Sequence, residues 1–505
     1  MRTRIAPSPT GYLHIGGLRM ALYCHLISKQ TNTTYTLRIE DTDQAREVEG
    51  AVDYIVHTLA WAGILPTEGV TLDSASKVVQ IGDKGPYIQS ERKDIYKKYA
   101  QELLEKGHAY HCFCTPERLD EMRKEQEAKK LAPRYDRACL KLSQDEQDKL
   151  IASGVIPVIR MKMPETGTLK YTDVVRGEVS FDLSLVDDQV LMKSDGFPTY
   201  HLAVVVDDHL MEIDLVLRGE EWLPSTPKHL QLYEFFGWAP PKFAHLPLLL
   251  NADKTKLSKR KGDVSVGSYR EKGYLPQALL NFILLQGWAP SNNQEIFDAD
   301  EMITAFDIDR VNKSGAVVDM DKLNWMNAQW MRKLPLSKVV DEVIAYEVTR
   351  GNMKITADNM YELSGIDTQL SEPEIEMFVS IIKDKMTVLH EWLTTLLIYK
   401  LPIAARDNAL YENEKMKTNT ESAKTTLTQL VEVMQSIPKE NWNLAGITVA
   451  VKEYIDTNEL KNGFVLWPLR VALTNSPSSP GAFESAWVLG KDEAVRRIAE
   501  AIEAL

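Results

Sequence analysis

The stretch that decides the fold lies at the start of the chain and reads Arg4-Ile5-Ala6-Pro7-Ser8-Pro9-Thr10-Gly11-Tyr12-Leu13-His14-Ile15-Gly16-Gly17. Its first half predicts a short strand that runs into a loop, because Pro7 and Pro9 each fix φ and lack an N–H. The glycine pair then opens a helix, in which apolar residues recur at helical spacing at Leu18, Ala21, Leu22 and Leu26. The stretch therefore predicts a strand, a loop and a helix in direct succession.

The next segment, residues 34–40, alternates with a period of two, which predicts a second strand. Tyr35, Leu37 and Ile39 share one face of that strand, and Glu40 stands at its C-terminal end. Open α/β sheets place their ligands at the carboxyl ends of their strands. A strand, a glycine turn, a helix and a strand are typical of the beginning of a doubly wound α/β fold.

Farther along, residues 108–198 differ in character, with three cysteines, a charged helical pattern near 116–130 and a strand-rich stretch at 155–185. This change indicates an insertion between two halves of the first domain. The apolar runs 202–206 and 215–217 are interpreted as buried parallel strands. From about residue 336 to the end the pattern is helical almost throughout, which predicts a helical C-terminal region.

The chain has 505 residues, of which 44% are hydrophobic and 26% charged, as in ordinary globular proteins. Several domains are expected, because one core rarely supports this length. We expect a cytoplasmic protein with no membrane partner, because no apolar run approaches ~20 residues and the N-terminus lacks the core of a signal peptide. Four cysteines favour reduced thiols over a disulfide scaffold. The net charge of −13 excludes a wholly basic coat protein, but a local basic patch can still bind nucleic acid.

Two segments have the chemistry of a triphosphate site. In the first, Gly16 and Gly17 let a ligand approach the backbone, the helix start offers free N–H groups, and His14 can donate to phosphate oxygens. In the second, two ammonium groups three residues apart and a hydroxyl can clamp a triphosphate, in Lys256-Leu257-Ser258-Lys259-Arg260. Gly262 follows this run and is placed to act as a hinge. Either segment alone is also compatible with a surface loop.

A third group of side chains suits an amino acid with two carboxylates. Arginine binds carboxylates through a planar fork, and Arg4 and Arg218 each stand at the end of a predicted strand. Glu40 is the candidate partner for a substrate ammonium, and Tyr200 offers a hydroxyl and a wall. Glu220-Glu221-Trp222 follow Arg218 directly. A surface ion pair would explain any one of these residues, whereas their convergence at one end of a sheet favours a binding site.

Four of these motifs occur in a fixed order: Arg4 to Gly17, Leu37-Arg38-Ile39-Glu40-Asp41-Thr42-Asp43, Leu217-Arg218-Gly219-Glu220-Glu221-Trp222, and Lys256 to Arg260. Near the end stands Trp467-Pro468-Leu469-Arg470-Val471-Ala472-Leu473-Thr474. Together they resemble bacterial-type glutamyl-tRNA synthetases, which are class I aminoacyl-tRNA synthetases with a HIGH-type motif (here at His14) and a KMSKS-type loop (here at Lys256). The resemblance covers nearly the whole chain.

The resemblance implies an α/β fold with a Rossmann-type catalytic domain at residues 1–85 and 199–245. An α+β connective domain at 86–198 would split it and grip the acceptor end of tRNA. A stem-contact domain with the lysine loop would follow at 246–335, and an all-helical anticodon-binding region at 336–505. The implied reaction is ATP-dependent formation of glutamyl-adenylate and transfer of L-glutamate to the 3′-terminal adenosine of tRNA(Glu), with Mg²⁺ on the phosphates and a monomeric chain. Charging of tRNA(Gln) stays open.

The same resemblance assigns roles to individual residues. The catalytic residues would be His14, Lys256 and Lys259. ATP would be held by Pro7, Ser8, Pro9, Thr10, Gly11, His14, Gly16, Gly17, Lys256, Ser258, Lys259 and Arg260. Glutamate would be held by Arg4, Ser8, Glu40, Tyr200, Arg218, Glu221 and Trp222.

The chain departs from the family pattern in two further respects. Val204 stands where family members often have asparagine, and Leu257 replaces the methionine of the class I signature. Some members also hold zinc through a Cys-x-Cys pair and a second, distant pair. Here the cysteines are Cys112, Cys114 and Cys139, but Lys141 stands at the expected fourth position. A zinc site completed by His108, His111 or Tyr135 and a set of free thiols both stay open.

Three other functions share part of this pattern. A tRNA-modifying glutamyl transferase would lack the region 336–505, and a glutaminyl-tRNA synthetase would carry a different first motif and a β-barrel C-terminus. A non-catalytic tRNA-binding relative would not need His14, Lys256, Lys259, Arg4 and Arg218 to be intact. The sequence therefore favours the synthetase.

Overall fold

The computed structural model describes residues 1–131, 134–257, 264–366 and 369–505. The chain divides into two compact units, the first formed by residues 1–270 and 276–323 and the second by residues 271–275 and 324–505. The domain boundaries given above stay a prediction. None of the helices in the described ranges is long and apolar enough to cross a membrane.

The elements of the first unit follow in chain order. They are β1 (Thr3–Ile5), α1 (Ile15–Thr31), β2 (Tyr35–Leu37), α2 (Ala51–Trp61), β3 (Glu68–Leu72), β4 (Val78–Ile81), α3 (Lys93–Glu105), β5 (Ala109–Cys112), α4 (Pro116–Ala128), α5 (Gln144–Ala152), β6 (Val158–Met161), β7 (Thr168–Asp173), β8 (Gly177–Asp182), β9 (Val190–Met192), α6 (Tyr200–Leu210), β10 (Leu215–Gly219), α7 (Thr226–Phe236), β11 (Lys242–Leu246), β12 (Leu249–Leu250), α8 (Val266–Glu271), α9 (Pro276–Leu284), α10 (Ala299–Ala305), β13 (Ala316–Val317) and α11 (Met320–Lys333). Helices α8 and α11 begin in the first unit and end in the second.

A six-stranded sheet forms the centre of the first unit, in the order β11-β10-β1-β2-β3-β4. Its first five strands are parallel, and β4 runs antiparallel to β3 at the edge. The chain builds outward from β1 to one side through β2 and later to the other side through β10, so the strand order reverses beside β1. This is the doubly wound α/β arrangement that the opening stretch predicts, and its ligand position lies at the carboxyl ends of β1 and β10.

The segment between the two halves of this sheet forms its own strands. Strands β5, β6 and β9 make one antiparallel sheet, and β7 and β8 make a hairpin. The backbone N–H of Val174, just after β7, donates to the carbonyl of Phe243 in β11 at 2.9 Å. The end of this hairpin is thus bonded to the central sheet, and the division into an inserted domain stays a prediction.

Residues 202–206 are not a strand, as the apolar run suggested, but lie in α6. A short, continuous apolar run does not distinguish a buried strand from a buried helix, because both are covered on every side. All seven residues from Leu202 to Asp208 are buried. The strand interpretation of 202–206 was therefore wrong, whereas that of 215–217 is confirmed by β10.

The second unit is mostly helical. Its elements after α11 are α12 (Leu336–Thr349), β14 (Met353–Ile355), β15 (Tyr361–Leu363), β16 (Gln369–Leu370), α13 (Glu372–Ser380), α14 (Glu391–Lys400), α15 (Thr420–Ser436), α16 (Leu444–Thr457), α17 (Asn462–Thr474), α18 (Ala482–Leu489) and α19 (Lys491–Ala504). The last five helices share one apolar core that includes Leu427, Val451, Leu469, Ala486 and Ile498.

The helical C-terminal region is thus confirmed, with one correction to its expected all-helical character. Strands β14, β15 and β16 form a small antiparallel sheet at its beginning. Each of these strands has only two or three residues. Runs this short carry too little alternation to be recognised as strands in a sequence.

Gly69 gives a test of how tightly β2 and β3 are joined. Its φ is +99°, and a Cβ at this position would lie 2.1 Å from the carbonyl oxygen of Leu37. We expect Gly69→Ala to lower the free energy of unfolding by about 2 kcal/mol or more, because the strands must separate to admit the methyl group. Gly63→Ala is the matched control, since Gly63 has φ +72° and open space around it. It should lose only the ~1 kcal/mol of a left-handed alanine. Equal thermal unfolding curves for the two variants would contradict the prediction.

Candidate active site

A cavity of about 980 Å³ opens at the carboxyl ends of β1 and β10. Its volume suits a ligand site of the size that enzymes use. Most residues expected in the site line it, namely Arg4, Pro7, Ser8, Thr10, Gly11, His14, Gly16, Gly17, Glu40, Tyr200, Arg218, Glu221, Trp222 and Lys256. Pro9 belongs to the same loop without lining the cavity, and Ser258, Lys259, Arg260 and the proposed hinge Gly262 lie outside the described residues.

The loop before α1 presents His14 in a fixed orientation. His14 caps the helix, and its Nδ1 accepts a hydrogen bond from the backbone N–H of Gly16 at 2.9 Å. In the neutral ring the proton must then sit on Nε2, which makes that nitrogen a donor. A Cβ at Gly16 would lie 3.2 Å from this Nδ1, and one at Gly17 would lie 2.9 Å from Leu13. A side chain at Gly16 would therefore crowd the His14 ring, and one at Gly17 would require the Leu13 side chain to shift.

The lysine segment is attached to this loop through the backbone that follows it. The N–H of Ile15 donates to the carbonyl of Val264, and the N–H of Val266 donates to the carbonyl of Leu13, both at 2.9 Å. On the N-terminal side of residues 258–263, which lie outside the described ranges, the ammonium of Lys256 lies 3.6 Å from the Glu221 carboxylate. Lys256 and His14 thus belong to one site.

Four buried charges form a network beside the cavity. The carboxylate of Asp208 accepts hydrogen bonds from Nε and Nη2 of Arg4, both at 3.1 Å. It also lies 2.8 Å from Nη1 of Arg38, whose Nη2 donates to Glu40 at 3.0 Å. Burial acts to raise the pKa of Asp208, but Arg4 and Arg38 outweigh it and hold that pKa below its usual value. Burial raises the pKa of Glu40, although Arg38 and Arg4 act to lower it.

A second carboxylate supports this network from the same helix. Asp207 accepts hydrogen bonds from Arg92, Gln89 and Tyr96, each at 2.8 Å. Asp207 and Asp208 lie next to each other in α6, with Asp207 fully buried. Sequence reasoning missed Asp207, Asp208 and Arg38 as parts of the site. The available signal was a pair of adjacent aspartates that continues an apolar run, because buried carboxylates require partners.

Arg218 lies at the end of β10, almost fully buried and at the wall of the cavity. Its Nη1 donates to the Tyr200 hydroxyl at 3.2 Å, and the ring of Trp222 packs on Tyr200 with 4.4 Å between centroids. The carbonyl of Leu217, the preceding residue, accepts a hydrogen bond from Nη1 of Arg4. The two arginines that the sequence singled out are therefore neighbours in the cavity wall.

A separate cluster of sulfur atoms lies in the inserted segment. The sulfurs of Cys112, Cys114 and Cys139 lie within 4.8 Å of one another, with 3.4 Å between Cys114 and Cys139. The Tyr135 hydroxyl lies 3.4 Å from the sulfur of Cys112 and 3.3 Å from that of Cys114. Lys141, in contrast, is exposed to solvent. Three thiols and one phenol oxygen give four donor atoms, which is the number that a structural zinc ion takes, and thiolate sulfur is one of its usual ligands.

Comparison with known proteins gives full-length matches. Residues 1–325 match the family of tRNA synthetases class I (E and Q), catalytic domain, and residues 341–502 match the anticodon binding domain. The glutamate–tRNA ligases of Clostridioides difficile and Clostridium tetani are 42% and 44% identical to the chain, covering 99% and 100% of it and 98% of each relative. A crystal structure of a glutamate tRNA ligase from Elizabethkingia meningosepticum in complex with its amino acid superposes with a TM-score of 0.84, at 34% identity, and covers 100% of this chain and 99% of the other.

The Asp208 network predicts a large effect of a small substitution. We expect Asp208→Asn to lower the free energy of unfolding by about 3 kcal/mol or more, because it leaves the buried guanidinium of Arg4 without its counter-charge and removes one of the carboxylates around Arg38. The control is Asp214→Asn, because Asp214 is exposed and accepts a bond from the backbone N–H of Arg2 at 2.7 Å. It should change stability by no more than ~0.5 kcal/mol.

The same carboxylate predicts a pH dependence, measured by thermal unfolding of wild type and Asp208→Asn. The lowered folded-state pKa of Asp208 means that its contribution is complete above the pKa of an unfolded aspartate, about 4. The contribution is lost as the pH falls through the folded-state pKa, so the difference between the two proteins should narrow only below about pH 4. A constant difference down to the acid transition would contradict this assignment.

Proposed function

This chain belongs to the glutamate–tRNA ligases, the class I aminoacyl-tRNA synthetases that join glutamate to tRNA at the expense of ATP, and we propose that the cavity between His14 and Arg218 is where it does so. The observation that carries the proposal is convergence. Arg4, Glu40 and Arg218 come from three strand ends and meet beside the nucleotide loop of His14. Two smaller cavities, one beside β15 and one between α14 and α19, do not combine guanidinium groups with a helix start and a glycine loop.

The first step is activation of glutamate. The α-carboxylate of glutamate attacks the α-phosphate of ATP and pyrophosphate leaves. His14 donates from Nε2 to the phosphate oxygens as negative charge develops there. Lys256 neutralises charge on the triphosphate, and Lys259, which lies outside the described residues, is proposed to do the same. Mg²⁺ supplies further neutralisation of the phosphates when it is bound with ATP.

The second step is transfer. A ribose hydroxyl of the terminal adenosine of tRNA attacks the carbonyl of glutamyl-adenylate, and AMP leaves. The protein supplies no covalent nucleophile in this scheme. Alignment of the reactants and electrostatic stabilisation therefore account for the rate.

Glutamate is held by the charged wall of the cavity. Arg218 and Tyr200 receive its side-chain carboxylate, Glu40 its ammonium, and Arg4 adds a second guanidinium. Ser8, Glu221 and Trp222 complete the pocket. Glutamine is rejected because its neutral amide leaves the buried charge of Arg218 without a carboxylate. Val204, which replaces the asparagine of many relatives, is buried in α6 and offers no polar atom.

Segments outside the cavity are proposed to bind the tRNA. Residues 86–198 grip its acceptor end, residues 246–335 contact its stem, and residues 336–505 read its anticodon. We propose tRNA(Glu) as the substrate and a monomer as the working form. We place the protein in the cytoplasm, because the charged product is consumed by ribosomes. Charging purified tRNA(Glu) and tRNA(Gln) side by side decides whether the second is also a substrate, and light scattering decides the oligomeric state.

Exchange of pyrophosphate into ATP, with glutamate and tRNA present, tests the site. We expect Arg218→Ala to raise the glutamate KM about 100-fold or more with little effect on the KM for ATP, since a lost charged hydrogen bond costs about 3 kcal/mol. His14→Ala should instead lower the exchange rate at saturating substrates. Lys77→Ala, in the exposed turn between β3 and β4, is the control and should change neither. An unaltered glutamate KM in Arg218→Ala would place glutamate recognition elsewhere.

We further propose that the cysteine cluster binds zinc, with Tyr135 as fourth ligand to Cys112, Cys114 and Cys139. The support is the donor set itself, because the three sulfurs lie within 4.8 Å of one another and the Tyr135 hydroxyl lies within 3.4 Å of two of them. A closed site of this kind is structural, and the metal would fasten residues 112–139 to one another.

Metal analysis of the purified protein tests this proposal. We expect about one zinc per chain, consistent with a closed structural site, and near-complete loss of zinc in Cys114→Ser. The control is Cys24→Ser, because Cys24 is buried in α1 away from the cluster. Chelation should lower the thermal stability of wild type and Cys24→Ser but not that of Cys114→Ser. Protein that remains free of zinc after purification in zinc-containing buffer would refute the site.

A further inference from the structure

The guanidinium of Arg218 is held by neutral hydrogen-bond acceptors. Its Nε donates to Nε2 of His245 at 3.0 Å, and its Nη1 donates to Nδ1 of His229 at 3.0 Å and to the Tyr200 hydroxyl. Its Nη2 donates to Oγ1 of Thr226 at 2.9 Å. A guanidinium has five N–H groups, so one N–H on Nη2 has no acceptor among the described residues. The side chain can turn only if these bonds break.

These bonds fix the protonation of His245. Its Nδ1 lies 2.6 Å from Oδ2 of Asp173, and an ionised carboxylate can only accept, so Nδ1 carries the proton. Its Nε2 faces the Nε–H of Arg218, which can only donate, so Nε2 carries the lone pair. The Thr226 hydroxyl, 3.3 Å away, can donate to the same lone pair. His245 is therefore neutral and in one tautomer.

The hydrogen bonds of His229, on the other side of the guanidinium, fix its tautomer in the same way. Its Nδ1 accepts from Arg218, so its proton sits on Nε2, which lies 3.0 Å from Nδ1 of His201. Burial and the charge of Arg218 hold the pKa of His229 well below its usual value. Burial also lowers the pKa of His245, although Asp173 acts to raise it. Both histidines therefore stay neutral beside the cation.

Asp173 is itself held in one orientation. Its Oδ1 accepts three backbone hydrogen bonds, from the N–H groups of Val175 at 3.0 Å, Arg176 at 2.9 Å and His245 at 3.2 Å. This leaves Oδ2 for the His245 ring. Asp173 is buried at the end of β7, in the inserted hairpin, and does not line the cavity.

We propose that Asp173 is a positioning residue for glutamate recognition, which fixes His245 in the tautomer that accepts from Arg218 and so aims the guanidinium at the side-chain carboxylate of the substrate. The proposal rests on the role assigned to Arg218 above. Asp173 touches neither substrate nor reacting atom. It acts across two hydrogen bonds, and its effect is on affinity for one substrate rather than on the rate of the chemical step.

The same arrangement explains why the site demands a carboxylate. The Tyr200 hydroxyl accepts a hydrogen bond from Arg218, so its own hydrogen points away from Arg218 and can be donated to a ligand. The remaining N–H on Nη2 of Arg218 is also a donor. Both groups that Arg218 and Tyr200 can offer to a ligand are thus donors. A carboxylate accepts from both, whereas a glutamine amide places its NH₂ group against one of them.

Asp173→Asn tests the proposal with almost no change in shape. The three backbone N–H groups keep the amide oxygen at the Oδ1 position, so the NH₂ group faces Nδ1 of His245. The ring must then accept at Nδ1 and carry its proton on Nε2, opposite the Nε–H of Arg218. Two donors would meet at 3.0 Å. We expect the glutamate KM to rise about tenfold or more, equivalent to about 1.4 kcal/mol, with the KM for ATP and the maximal exchange rate within about twofold of wild type, since the distortion is confined to the side-chain pocket.

Two comparisons separate this effect from general damage. The matched control is Asp182→Asn, because Asp182 ends the neighbouring strand β8 and accepts a backbone N–H from Ser184 but lies away from Arg218. The second comparison uses His245→Gln as background, since a glutamine amide oxygen accepts from Arg218 without any tautomer. In that background, adding Asp173→Asn should leave the glutamate KM where His245→Gln alone puts it.

The outcomes are distinct. A glutamate KM that is unchanged in Asp173→Asn, while Arg218→Ala raises it, overturns the positioning role and leaves the proposed function intact. A KM increase of the same size in both backgrounds also overturns it, because damage to the hairpin, not the tautomer, would be the cause. An unaltered KM in Arg218→Ala removes the premise and overturns both proposals together.

Discussion

The carboxylate of Asp208 is the point on which the rest of the site depends. A buried guanidinium is tolerated only when it is paired and hydrogen-bonded, and Asp208 serves Arg4 from β1 and Arg38 from the segment after β2 at once. Without it, β1 and the segment after β2 would bring the guanidinium groups of Arg4 and Arg38 together in the interior without the carboxylate that they share. The network that joins these elements is therefore the one that holds Arg4 and Glu40 at the cavity.

Arg218 is treated differently, and the contrast separates the roles of the two arginines. Arg4 shares its charge with Asp208, whereas none of the ion pairs found among the described residues includes Arg218. Its partners are two neutral histidines and two hydroxyls. The positive charge of Arg218 therefore has no carboxylate partner among the described residues, which supports the proposal that a substrate carboxylate compensates it. Arg4 forms part of the cavity wall, whereas the uncompensated charge of Arg218 favours an anionic ligand.

The sequence was sufficient for residues that belong to a local pattern and insufficient for their supports. The loop at His14, the strand before Glu40 and Arg218 at the end of β10 follow from glycine turns, alternation and motif order. Asp208 pairs with Arg4 across 204 positions of the chain, and His245 pairs with Asp173 across 72. No periodicity reports such pairs. The misassignment of residues 202–206 as a strand further hid that Asp208 projects from a helix.

The hairpin of β7 and β8 is therefore connected to the site proposed for the amino acid as well as forming its own sheet. Asp173 is the last residue of β7. The N–H of the following residue, Val174, donates to the carbonyl of Phe243 in β11, and the Asp173 carboxylate contacts the ring of His245, two residues after Phe243. Only two hydrogen bonds separate the hairpin from the Arg218 guanidinium. Because a hydrogen bond weakens steeply with distance and angle, a displacement of β7 by a fraction of an ångström changes how Arg218 is held. The segment proposed to meet tRNA is thus joined through short, directional bonds to the group proposed to meet glutamate.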